Sequence, residues 1–229
     1  METQCVVVCS GGLDSTTAAT HALKVDGRKP LLLHFRYGCR AEDREMEAVR
    51  NVAAALQVDY LIVDLTWLKD LGGSTLTNPQ APISGPIEGA EFPHEWVPAR
   101  NLVMIAYAAA LCDARSIGEI YMGLNLEEGA VYPDNTVEFY ERLNSVLPLA
   151  TLVRPIIRMP LARMMKWQIA EYAHAINAPI HLSWSCYRSG PFHCGRCGPC
   201  HMRRTAHAMI NVPDSVLYAD DVGMKVPHE

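Results

Sequence analysis

The chain has no surplus of basic residues. Its 20 Lys and Arg stand against 25 Asp and Glu, a net charge of −5, which argues against broad nucleic-acid binding, where a basic face must neutralise phosphates. It has no apolar run long enough to cross a bilayer and no basic segment followed by a long apolar one, so a cytoplasmic protein with no membrane partner is expected. Also missing are the Gly-x4-Gly-Lys-Ser/Thr and Gly-x-Gly-x-x-Gly patterns with which P-loop NTPases and dinucleotide folds hold phosphate. The eight cysteines do not form a disulfide framework: Cys186, Cys194, Cys197 and Cys200 crowd together, while Cys5, Cys9, Cys39 and Cys112 sit in apolar or helical context. That distribution reads as a metal site plus reduced thiols. At 229 residues, 49% hydrophobic and 20% charged, the chain suits one α/β domain with a modest appendage.

What the sequence does carry begins at its start. Val6 to Val8 is a β-branched run that ends in Ser10-Gly11-Gly12, and no breaker follows before Gly27. This predicts a buried strand, a glycine turn and a helix start. Such a junction leaves backbone N–H groups free at the positive end of a helix dipole, and glycine lets an anion approach closely. Ser10-Gly-Gly-Leu-Asp-Ser15 resembles the PP-loop of the ATP pyrophosphatases, which implies that residues Cys9, Ser10, Gly11, Gly12, Leu13, Asp14, Ser15, Thr16 and Thr17 bind ATP. Ser and Asp at a helix start also serve as ordinary caps.

Further apolar runs at Leu31 to Phe35, Tyr60 to Val63 and Glu119 to Leu124 alternate with helical periodicity, as in Met46, Val49, Val52 and Leu56. The alternation predicts a doubly wound, mostly parallel sheet, with a nucleotide-binding α/β domain over 1–160 and a helical lobe over 161–229. The Pro- and Gly-rich stretch from Thr66 to Val97 is too long for a plain connection. Leu102 to Leu111 predicts a largely buried helix, and Arg100 at its start needs an anion, either a protein carboxylate or a ligand's carboxylate or phosphate. Loops that follow strands should converge on one crevice, which makes Arg36, Tyr37, Tyr132 and Asp134 pocket candidates, with Arg100 and Asn101 at the helix start as further substrate candidates. Lys166 near a helix start is unfavourable beside the dipole; it is either solvated or reaches back to phosphate.

Cys186-x7-Cys194-x2-Cys197-x2-Cys200, with Gly195 and Gly198 between ligands, can close a tetrahedron of thiolates around one Zn²⁺. An iron–sulfur cluster and a redox dithiol are the rival readings. His193 and His201 flank the cluster as neighbours of the metal ligands.

With these motifs in place, the chain resembles the 7-cyano-7-deazaguanine (preQ0) synthase family over nearly its whole length. The segments that carry the likeness are Ser10 to Thr17, His34-Phe-Arg-Tyr-Gly38, Leu71-Gly-Gly-Ser-Thr-Leu-Thr77, Trp96-Val-Pro-Ala-Arg-Asn101, Tyr132-Pro-Asp134 and Trp184-Ser-Cys-Tyr187 with the later cysteines. The resemblance implies an ATP-dependent ligase with Mg²⁺ and a structural Zn²⁺, acting on 7-carboxy-7-deazaguanine and ammonia, and a homodimer. In it Asp14 would organise Mg²⁺ and phosphate, Arg100 and Lys166 would neutralise anionic groups, and Tyr132 with Asp134 would hold the deazaguanine.

Two motifs depart from the family's pattern. Its usual Ser-Gly-Tyr-Pro-Asp-Cys-Arg is Ala-Val-Tyr-Pro-Asp-Asn-Thr here, and its Asn-Tyr-Gly-Gln-Arg is Arg-Tyr-Gly-Cys-Arg. The departures leave open a relative that stops at the amide, or that joins the activated acid to another amine, such as one on a protein. A tRNA-thiolating PP-loop enzyme and a non-enzymatic zinc module are the remaining alternatives.

Overall fold

The β-branched run becomes strand β1 (Cys5–Val8), and the stretch after the glycine turn becomes helix α1 (Leu13–Lys24). In the computed structural model, which describes residues 3–83 and 95–224, the alternation continues as β2 (Pro30–Arg36), α2 (Glu42–Leu56), β3 (Asp59–Asp64), α3 (Arg100–Arg115), β4 (Glu119–Met122), α4 (Val137–Ala150) and β5 (Ile156–Arg158). Helices α5 (Lys166–Ala175) and α6 (Gly198–Met209) follow. Part of the long stretch from Thr66 to Val97, residues 84–94, lies outside the described residues.

All the strands pair in parallel, in the order β3-β2-β1-β4-β5, as the doubly wound reading requires. β1 is central, with Val6 opposite Leu31 on one side and Ile120 on the other. Alternate residues face opposite layers. Val6, Val8, Leu33 and Ile120 pack with Met104 and Ile105 of α3, whereas Cys5, Val7, Leu32 and Tyr121 pack with Ala19 of α1 and Val49 and Val52 of α2. The order reverses between β1 and β4, so the loops after these two strands open onto the switch point, where α/β sheets bind ligands.

The sequence overstated the burial of α3. Ile105, Ala108 and Ala109 are buried, but Leu102 is 43% and Tyr107 38% exposed. Alanine is compatible with either environment, and α4 covers only part of the helix, leaving an apolar groove between them lined by Leu102, Ala106, Val146 and Ala150. The boundary drawn at 160/161 falls between β5 and α5. Across it, Leu161, Ile169 and Ala173 share a core with Leu13 and Ala18 of α1.

Beyond α5 a buried ion pair organises the chain. Arg203 of α6, 0% exposed, grips Asp214 with two donors (2.8 and 3.0 Å) and also reaches Ser183 Oγ (2.7 Å), Ser185 Oγ (3.2 Å) and the Ile180 carbonyl (2.9 Å). Burial pushes the Asp214 carboxyl up, but the hydrogen bonds and charge of Arg203, with the Tyr218 hydroxyl, outweigh it and hold its pKa below the ordinary value. A depressed carboxyl stabilises the fold above its unfolded pKa of about 4, and that contribution is lost as pH falls through the folded value. Asp214→Asn leaves a buried guanidinium unpaired, so it should cost roughly 3–5 kcal/mol at neutral pH. The gap from wild type should shrink below about pH 4. Urea unfolding at both pH values checks this; a gap that does not change with pH would contradict it.

Candidate active site

The turn after β1 is built for an anion. No side chain caps the amino end of α1, so its first-turn amides are open to a ligand. Gly11 has φ +81°, and a Cβ there would meet the Glu45 carbonyl oxygen at 2.8 Å. Ser10 Oγ and Ser15 Oγ lie 3.2 Å apart and tie the loop to the helix. Of the stretch Cys9 to Thr17, residues Ser10, Gly12, Leu13, Asp14 and Ser15 line an open cleft of about 190 Å³, and Cys9 lines a deeper chamber of about 140 Å³. Thr16 and Thr17 do not: both are fully buried, and Thr17 Oγ1 donates to the Leu13 carbonyl at 2.7 Å.

The α5 start faces the same cleft. The Glu127 carboxylate accepts from the Lys166 amide at 2.6 Å and so caps α5, which offsets the cation at that end. Lys166 Nζ reaches Asp14 Oδ2 at 2.7 Å and approaches Glu128 Oε1 at 3.8 Å. Asn125 bridges the carboxylates, its Nδ2 donating to Asp14 Oδ2 and to Glu128 Oε1, both at 2.8 Å. Burial, with Asp14 adding to it and Lys166 opposing, raises the Glu128 carboxyl. Asp14 Oδ1 is buried without a hydrogen-bond partner. Two carboxylates share one lysine, so the cluster keeps a surplus of negative charge and an unused buried oxygen beside an anion-binding turn. That donor set fits a hard divalent cation.

Across the cleft, Arg100 at the start of α3 donates to Tyr37 OH (3.2 Å) and Asn101 Oδ1 (3.4 Å), with its guanidinium 5.2 Å from the Tyr37 ring centroid. It makes no ion pair among the described residues. Burial pulls its pKa down, but Tyr37 and Asp134 more than restore it, so it stays charged. Asp134 Oδ2 accepts from the Asn101 amide at 3.1 Å, and Asn101 Nδ2 reaches Asn135 Oδ1 at 2.8 Å. Asn101 thereby braces the Tyr132–Asp134 turn instead of facing the outer cleft. Burial raises the Asp134 carboxyl, opposed by Asn101 and Arg100. Tyr132 lies nearly parallel to Trp96, with ring centroids 5.8 Å apart.

Arg36 is not brought to the cleft. As the last residue of β2 it points away from buried Phe35 and pairs with Glu42 (2.8 Å) and Asp64 (3.7 Å) at the sheet edge. Sequence reasoning gave no role to Glu45, Glu128, Trp184, Ser185 or Tyr187, all of which line the cleft. Glu45 had a readable signal, because it stands on the same helical stripe as buried Ala48, Val49 and Val52, where an acid is unexpected.

The four cysteines gather as their spacing predicted. Their Sγ atoms all lie within 4.8 Å of one another, and the Cys194–Cys200 and Cys186–Cys197 pairs are 3.9 Å apart. Tetrahedral Zn–S bonds of about 2.3 Å place sulfurs roughly 3.8 Å apart, so the set fits one metal ion. Backbone amides of Cys194 and Arg188 donate to Cys186 Sγ, and those of Arg196 and Cys197 to Cys194 Sγ, at 3.3–3.4 Å. His193 stays outside this set: its Nε2 accepts from the Ser185 amide at 3.1 Å, and burial with the charge of Arg203 pushes it down to about 3. The cluster reaches the cleft directly, because Ser185 and Tyr187 flank Cys186 and the Trp184 amide donates to the Gly11 carbonyl at 2.8 Å.

Residues 4–211 match the family described as Queuosine biosynthesis protein QueC. A 7-cyano-7-deazaguanine synthase of Saccharolobus solfataricus is 44% identical over 94% of this chain and 47% of its own length. The protein of that name from Methanothrix thermoacetophila is 36% identical over 93% of this chain and 97% of its own. The chain thus spans about half the length of the first relative and nearly all of the second. Among solved structures, a predicted subunit of tRNA methyltransferase from Methanocaldococcus jannaschii superposes with a TM-score of 0.50 at 16% identity, covering 76% of this chain and 75% of that one, a likeness of fold.

Proposed function

The chain belongs to the QueC family of queuosine biosynthesis proteins, and from that premise we propose that it converts 7-carboxy-7-deazaguanine and ammonia to 7-cyano-7-deazaguanine at the expense of ATP. The observation that carries the reading is that the uncapped amino end of α1 and the half-buried Arg100, which has no ion-pair partner among the described residues, face one cleft. That cleft offers two separate places for anions. On this reading the phosphates lie on the Ser10 to Ser15 turn, and the base enters the deeper chamber, whose walls include Val8, Phe35, Met104 and Met122. The deazaguanine acid lies on the side of Trp96, Tyr132 and Asp134, with its carboxylate toward Arg100.

The carboxylate attacks the α-phosphorus to give an acyl adenylate and pyrophosphate, and ammonia displaces AMP to give the amide. A second activation, at the amide oxygen, then leaves the nitrile as AMP departs. Asp14 and Glu128 would hold Mg²⁺, which when bound neutralises the phosphates. Lys166 sits between them, poised to move from Asp14 to a phosphate oxygen. The protein's work is positioning and charge neutralisation, because adenylation itself makes the leaving group. Zn²⁺ in the four-thiolate site would be closed off from the reaction and structural.

ATP–pyrophosphate exchange dependent on 7-carboxy-7-deazaguanine tests the activation step. Arg100→Ala is expected to lower kcat/KM for the acid by about 100-fold, the size of a lost charge-assisted contact of roughly 1.5–3 kcal/mol. Unchanged exchange in Arg100→Ala would remove Arg100 from the site.

A further inference from the structure

Glu45 has no part in the chemistry described so far, yet its place is unusual. It rises from the buried stripe of α2 and lines both the outer cleft and the inner chamber. Its carboxylate has one hydrogen-bond donor among the described residues, the Cys39 thiol at 3.6 Å, and a thiol is a weak donor. If the base lies in the chamber and the deazaguanine in the cleft, the mixed anhydride joining them must cross the junction. Three charged residues line both cavities: Arg100, Glu128 and Glu45. A guanidinium cannot accept a proton. Glu128 is already engaged by Asn125 at 2.8 Å and lies 3.8 Å from Lys166. Glu45 is the junction carboxylate left to act.

We propose that Glu45 is a catalytic residue of the amide-forming step, the base that takes the proton an attacking amine must lose. The nitrogen lone pair of ammonia forms the C–N bond at the acyl carbon, and one N–H proton passes to the Glu45 carboxylate. The C–O bond to AMP breaks with its electron pair staying on the phosphate oxygen, and Glu45 later releases its proton to water. No further reactant is needed. Burial pushes the Glu45 carboxyl up to about 7, with Arg100 and Cys39 pulling it down and Glu42 pushing it up; Tyr37 and Cys9 complete its titratable surroundings. A base that titrates near the working pH is the most effective.

This inference rests on the function proposed above, and exchange separates the two, because it needs the deazaguanine acid and no amine. Wild-type protein that exchanges nothing with 7-carboxy-7-deazaguanine overturns both. Given an exchanging wild type, Glu45→Gln is expected to slow amide formation from ammonium chloride about 100-fold at neutral pH while exchange falls less than about threefold. Acyl adenylate should accumulate, and the rise in rate through about pH 7 expected of wild type at a fixed concentration of free NH3 should disappear. Glu45→Asp should recover part of the rate. Amide formation unaltered in Glu45→Gln, or exchange lost in parallel with it, overturns the role of Glu45 alone.

Discussion

Gly123→Ala is expected to weaken ATP binding sharply while leaving the sheet intact. Gly123 is the first residue after β4, at the switch point, and a Cβ there would lie 2.7 Å from the Ser15 nitrogen and 2.8 Å from the Asp14 carbonyl carbon. Both are backbone atoms in the first turn of α1, so no side-chain rotation relieves the clash. The helix start must move, and with it the amides that would hold phosphate. A displacement of about 1 Å at a positioned site costs on the order of 100-fold. Calorimetric titration with ATP should therefore show at least about that loss of affinity. Gly118→Ala is the control, because nothing lies within 4 Å of a Cβ at that position. An affinity for Gly123→Ala within about threefold of wild type, where the 100-fold loss is expected, would mean that the α1 start does not hold the nucleotide.

Cys186→Ser is expected to cost metal, stability and turnover together. The purified wild type should carry about one zinc ion per chain with no visible absorption of an iron–sulfur cluster, since the four sulfurs are spaced for one tetrahedral ion. Structural zinc contributes roughly 10–16 kcal/mol in small domains. Weakening it here should lower the thermal midpoint by more than about 10 °C, given 2–4 °C per kcal/mol in a chain of this size. Activity should fall with it, because Cys186 lies between two cleft residues and its neighbour Trp184 is bonded to Gly11. Wild-type protein without zinc, or a variant that melts and turns over like wild type, would contradict the structural role.

What the sequence made legible was local. The strand, glycine turn and helix of residues 5–24 were readable because their signals are contiguous, and the parallel sheet followed from strands alternating with helices. The cysteines were readable because short loops force their sulfurs together. Pairings across long stretches were not. Lys166 meets Asp14 across a separation of 152 residues, and no local pattern distinguishes that lysine from a solvated one. Arg36 was drawn toward the crevice because it ends a strand, but the pleat turns it away from Phe35, and Glu42, the first residue of α2, captures it. Glu45 was legible in principle as an acid on an apolar stripe; its meaning depends on two cavities that only the packed chain encloses. The exposed face of α3 was misread because an alanine-rich run does not report which side is covered.

The most direct measurement is mass spectrometry of the products formed by the pure protein from 7-carboxy-7-deazaguanine, ATP, Mg²⁺ and an ammonium salt. The expected products are 7-cyano-7-deazaguanine, AMP and pyrophosphate. Accumulation of the amide alone would contradict the second activation and point to a relative that stops halfway, and recovery of unreacted acid with intact ATP would contradict the proposed function itself.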